Sequence, residues 1–107
     1  PEAYFRMVGE LFGTMVESVR DVLMSRAATK GEFGVERTML RSRDNNALKF
    51  SVTPADAVAA LLQPGRPGYM PPARATKEAF DDIRLHQIAV MAGVQAAIDA
   101  KRRPHAG

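Results

Sequence analysis

Between Ala3 and about Ala28, apolar residues recur at Tyr4, Val8, Leu11, Met15, Val19 and Val22, with Phe5, Phe12, Val16 and Leu23 beside them. Steps of three and four residues are helical spacing. At about 100° per residue these positions fill one broad arc, while Glu2, Arg6, Glu10, Glu17, Arg20, Asp21 and Ser25 occupy the other. The pattern predicts a long helix that buries one face. Gly9 and Gly13 lie four apart near an edge of the arc. They suggest a kink or tight packing against another helix, each at an intrinsic cost of about 1 kcal/mol relative to Ala.

The helical period stops over residues 30–52. Glu32-Phe33-Gly34-Val35 and Thr38-Met39-Leu40 are short apolar pieces between charges, which predicts irregular backbone or a brief hairpin. Thr53-Pro54-Ala55-Asp56 then reads as a helix start, with a hydroxyl at the N-cap, proline where no donor is missed, and a carboxylate near the positive end of the dipole. A short helix through Leu62 follows, ended by Pro64-Gly65. The loop to Pro72 is rich in Pro and Gly, and Tyr69-Met70 within it either lies down on the core or forms a small contact patch.

The last helix is expected from near Thr76 to about Arg103, before Pro104. Phe80, Ile83, Val90, Met91, Val94 and Ile98 form its main stripe, and Leu85, Ala89, Ala92, Ala96 and Ala100 a second one of mostly small residues. A helix apolar on two sides belongs in a core or an interface. The expected fold is therefore mainly α: two long helices packed together, a short helix over 55–62 crossing them, and the 30–52 segment, irregular or with short β, over one end.

A chain of 107 residues fits one domain with one modest core, and the opening Pro1-Glu2-Ala3 reads as the start of an excised piece. No apolar run approaches the ~18 residues of a membrane span, so no direct membrane insertion is expected. Zero cysteines exclude disulfides, thiolate metal sites and cysteine nucleophiles. Lys and Arg number 15 against 12 for Asp and Glu, giving a net charge of +3 with a cluster at Lys101-Arg102-Arg103. That excess is a weak pointer to an acidic partner.

Two segments carry the candidate chemistry. Asp82 and His86 are an i,i+4 pair on the last helix, suited to a hydrogen bond. They are too few for zinc without further ligands, and no metal or cofactor is expected. Gln87 interrupts the main stripe, and a buried amide there needs partners, since leaving it unsatisfied costs about 1–3 kcal/mol. The polar run Arg43-Asp44-Asn45-Asn46-Ala47-Leu48-Lys49-Phe50-Ser51 would supply them, with Gln87 or His86 holding the Asn45-Asn46 turn. Asn45 and Asn46 have a structural role as turn formers, and a second role stands open in which the turn presents Arg41, Arg43 and Lys49 to a partner. No nucleophile–base–acid arrangement and no phosphate loop can be assembled, so no enzyme is expected. Nucleic-acid binding is not expected either: the five phenylalanines fall at apolar-patterned positions, and Glu36 and Asp44 offset the arginines.

The asparagine pair with Leu48-Lys49-Phe50-Ser51, followed by Phe80-Asp81-Asp82 and His86-Gln87, resembles the C-terminal domain of the FHA-domain proteins associated with bacterial type VI secretion (the TagH/ImpI type). The likeness runs from the first helix through Ala92-Gly93 and Gln95-Ala96-Ala97. Ala47 stands where the family's motif has a proline. The resemblance implies a cytoplasmic, non-enzymatic accessory or scaffold, either free in the cytoplasm or peripheral to the inner-membrane secretion complex. Its implied partners are the baseplate or inner-membrane complex proteins, gripped through Arg43, Asn45, Asn46, Lys49, Phe50, Asp82, His86 and Gln87 or structured by them. Two other readings stand beside it: self-association of the parent protein through the Ala89/Ala92/Ala96 face, and nucleic-acid binding through the basic tail with Arg41 and Arg43.

Overall fold

The computed structural model of the chain describes residues 1–29, 44–63 and 65–103. Among the described residues four helices follow in order: α1 (Glu2–Thr29), α2 (Ala47–Phe50), α3 (Pro54–Leu62) and α4 (Pro72–Arg102). The chain is mainly α, as its periodicity predicts. Among the described residues the only extended pairing is a single parallel bridge between Asn45 and Tyr69. Most of the segment expected to be irregular or short β, 30–43, lies outside the described residues, and its end folds instead as the one-turn helix α2.

Local chemistry sets the helix starts. Asp56 N–H donates to Thr53 Oγ1 at 3.1 Å, so the hydroxyl caps α3 with Pro54 at its first position, as the sequence indicates. α4 starts four residues earlier than expected, at Pro72, because proline at the first turn lacks a donor that would be orphaned there anyway. Thr76 then sits inside the helix, its hydroxyl donating back to Pro72 O at 2.9 Å. In the loop before it Gly68 adopts φ 84°, a left-handed conformation that glycine accepts without strain.

The core is small and alanine-rich. Val16, Val19 and Leu23 of α1 meet Leu48 of α2, Leu61 of α3 and Met70 of the loop. Ala57, Ala75 and Ala79 are fully covered. Methyl-sized side chains at these three points let α3 and α4 approach the centre closely. Met70 is buried with Tyr69 packed beside it, so this pair lies on the core.

The helices bury less than expected. The apolar arc of α1 divides into two stripes about a quarter-turn apart: Phe12, Val16, Val19 and Leu23 pack inward, whereas Tyr4, Val8, Leu11, Met15 and Val22 stay exposed. α4 turns Ala75 and Ala79 inward, roughly a quarter-turn from its main stripe, and Phe80, Val90, Met91, Val94 and Ile98 remain open. Leu85 and the alanines beyond it are exposed as well. The long dimension of the molecule is 71 Å. At 1.5 Å per residue α1 spans about 42 Å and α4 about 46 Å, so this length exceeds either helix and the two do not lie fully side by side.

The glycines of α1 are not contact points within the chain. A Cβ built at Gly9 or Gly13 meets no atom within 4 Å. Gly13→Ala is therefore expected to stabilise the fold by about 0.5–1 kcal/mol, by removing the backbone entropy of glycine from a helix interior. A thermal melt that stays unchanged or falls would show that a neighbour does use the missing side chain.

Candidate functional site

The asparagine turn is a hub that joins α1, α2, α4 and the loop before α4. Asn46 is 0 % exposed and is the N-cap of α2, its Oδ1 accepting from Leu48 N–H at 3.0 Å. Its amide nitrogen donates to Ala75 O of α4 at 2.8 Å and, more weakly, to Glu78 Oε1 at 3.4 Å. One buried side chain therefore starts one helix and ties it to another. A buried amide is tolerable only because both its ends are engaged.

Asn45 does the same for the loop before α4. Its backbone N–H and its side-chain amide both donate to Gly68 O, at 2.9 and 2.7 Å, and its carbonyl accepts from Met70 N–H at 3.0 Å. Asp44, just before, takes φ 59°, a left-handed conformation that aspartate tolerates better than most residues. Arg74 stands 3.6 Å from its carboxylate at the surface. Ala47 is buried against the core.

Two cations complete the hub. Arg20 of α1 is 6 % exposed and donates from its two terminal nitrogens to Leu48 O at 3.1 Å and to Ser51 O at 2.8 Å. It closes the C-terminal end of α2, where carbonyls lack helical partners. Lys49 ion-pairs with Glu78 at 3.0 Å and with Asp82. Glu78 and Asp82 are like charges one turn apart, an unfavourable pair on a bare helix that a cation between them reverses.

On the exposed side of α4, Lys77 donates to Asp81 at 3.0 Å and Arg84 pairs with its other oxygen. These contacts hold the Asp81 carboxyl below the usual carboxylate range, Lys77 contributing most.

Of the residues singled out in the sequence, Asn45, Asn46, Lys49 and Asp82 come together, with Phe50 half-buried beside them. Arg43 and Arg41 lie outside the described residues. Gln87 is exposed, and the anchoring expected of it or of half-buried His86 falls to Ala75 and Glu78, two to three turns earlier on the same helix. Arg20 and Glu78 are the hub residues that sequence reasoning did not single out. Glu78 had a signal in its i,i+4 spacing from Asp82; Arg20 had none, because it sits among ordinary polar-arc residues.

Chemically the hub is a set of satisfied hydrogen bonds and neutralised charges. No three metal-ligating side chains converge among the described residues, and Lys49 already fills the space between the two carboxylates. No helix among the described residues is long and apolar enough to cross a membrane. The open feature next to the hub is an apolar groove of about 570 Å³ between α1 and α4, walled by Met15 and Val22 on one side and Phe80 and Ile83 on the other, with Val19 and Leu48 between.

No characterised protein and no solved structure matches the chain. Residues 1–102 match the family described as the C-terminal domain of Type VI secretion system FHA protein. The match covers α1, the asparagine hub and all of α4, and the chain belongs to that family.

Proposed function

We propose that this chain is a non-enzymatic protein–protein interaction domain that serves as a scaffold in assembling or regulating the type VI secretion apparatus. Family membership supports the role in secretion. The observation that carries the interaction reading is the pair of apolar stripes left open on the outer halves of α1 and α4. Soluble monomers rarely expose contiguous apolar patches beyond a few hundred Å², and larger ones mark contact surfaces. The hub gives those helices a fixed base: Asn46, Arg20 and Lys49 lock α1 and α4 to α2, so the stripes are presented in one geometry. By resemblance the partners are baseplate or inner-membrane complex proteins, met on the cytoplasmic side.

The test is affinity capture with the chain from a lysate that contains a type VI system, beside a Leu11→Glu/Val94→Glu variant whose circular dichroism and melting match the parent. The parent is expected to enrich secretion components, and the variant to lose most of them. Recovery of no secretion component by the parent overturns the reading. Equal recovery by the variant removes the stripes as the surface that matters.

A further inference from the structure

The outer stripes have the spacing of a coiled-coil seam. On α1, Tyr4, Val8, Leu11, Met15 and Val22 follow alternating steps of four and three, with Ser18 at the one polar position. All five apolar members are 44–61 % exposed. On α4, Phe80, Ile83, Val90 and Val94 follow the same steps with Gln87 as the polar position, and Ile98 extends the stripe. Phe80, Val90, Val94 and Ile98 are 40–54 % exposed. Alternating three and four is the repeat that winds two helices around each other.

Charge selects the pairing. Along α1 the exposed charges are Glu2, Glu10, Glu17 and Asp21 against Arg6, whereas at the end of α4 and its cap they are Lys101, Arg102 and Arg103 against Asp99, Arg84 being already paired with Asp81. Opposite net signs favour α1 against α4 and oppose either helix against its own copy. Within one chain the two outer halves do not cover each other, since both stripes are exposed and the molecule is 71 Å long. A second copy, related by a twofold axis that passes beside the core, can set each α1 alongside the other's α4 in antiparallel sense.

Resting on the reading of these stripes as contact surfaces, we infer that their occupant is a second copy of this chain, in an antiparallel α1–α4 exchange that forms a four-helix seam across the groove, so that the stripes serve the scaffold by pairing it and secretion components meet the pair. The polar positions fix the register. Setting Ser18 opposite Gln87 of the second copy places Leu11 on Val94, Met15 on Val90 and Val22 on Ile83, and brings Glu2 level with Arg103. Each layer then pairs an a with a d position, as antiparallel helices require. Half-open side chains of this size leave roughly 80–100 Å² each, so the nine exposed ones named above offer about the ~800 Å² per partner of a standard interface. The symmetry is isologous and closed, so assembly stops at two.

Sedimentation equilibrium of the chain is expected to give about twice its 11.7 kDa, and Leu11→Glu to raise the dissociation constant about 30-fold or more. The chain has no native cysteine, so engineered ones report the register. A Leu11→Cys/Val94→Cys variant is expected to form disulfide dimers on mild oxidation, and each single variant to stay monomeric on a non-reducing gel. A wild-type monomer at several hundred micromolar overturns the inference, as do single variants that cross-link as readily as the double. A monomer that still captures secretion components separates this failure from failure of the scaffold reading. A dimer that captures none leaves the exchange standing and removes the scaffold.

Discussion

An Asn46→Asp chain is expected to lose about 4–5 kcal/mol of stability at neutral pH, more than the about 2–4 kcal/mol of Asn46→Ala, although aspartate is an equally good helix cap. The cap is only half of what Asn46 does. Its oxygen accepts from Leu48 N–H, and aspartate keeps that bond; its nitrogen donates to Ala75 O and toward Glu78, and aspartate reverses the sign of the interaction there. A carboxylate would face a buried carbonyl and a second carboxylate at a position that is 0 % exposed. Alanine loses the cap, worth about 1 kcal/mol, and leaves Ala75 O unpaired at about 1–3 kcal/mol, but introduces no charge. The two variants also separate by pH. Burial and Glu78 raise the introduced carboxyl's pKa in the folded state, so the penalty is full at neutral pH and shrinks as pH falls through that raised value, where the protonated acid donates to Ala75 O. Urea unfolding at neutral and mildly acidic pH, at one protein concentration, reads both effects. An aspartate variant as stable as the parent would show that the Ala75 bond does not hold α2 to α4.

That dependence explains which parts of the fold were legible. The Thr53-Pro54-Asp56 start of α3 could be read because its cap bond spans three residues and needs nothing else. Asn46 could be recognised as a turn former for the same reason, since its bond to Leu48 N–H is local. Its other end reaches Ala75, 29 residues away, and no spacing rule connects the two. The start of α4 carries a local signal, Pro72 at the first helical position, but the prolines and glycines around it have the pattern of a loop. The apolar arcs were correctly placed on both long helices, but an arc gives only what a helix can bury. Which side meets the core is decided by neighbours, here by the hub, which turns Ala75, Glu78, Ala79 and Asp82 inward and leaves Phe80 and Val90 outward. The partners a buried Gln87 would need are not called for, since the stripe it belongs to is itself exposed. Gln87 now has a more natural place, as a polar position of an intermolecular seam.

Arg20→Met is expected to cost about 2–4 kcal/mol, an effect unusual for a position that sequence patterning assigns to a solvated face. α2 is one turn long, too short to persist without outside support. Its start is held by Asn46 and its end by Arg20, whose fork reaches Leu48 O and Ser51 O together and sets a positive charge at the negative end of the turn. Methionine retains much of the side chain's volume, so the loss reports the two charged hydrogen bonds and the carbonyls they leave behind rather than a cavity. Arg20→Lys, with a point charge in place of the fork, is expected to recover part of the loss. Hydrogen exchange should locate the damage. Lys49 and Phe50 N–H, both bonded to Asn46 O at 3.0 Å, lose protection first, while amides of the inner half of α1 keep theirs. Because Asn46 and Arg20 brace opposite ends of one turn, combining Arg20→Met with Asn46→Ala is expected to cost clearly less than the two single losses added, since either alone already frees much of α2. Additive losses, with exchange at Lys49 and Phe50 unchanged, would mean that α2 is held by the packing of Ala47 and Leu48 alone and that the polar hub is incidental to it.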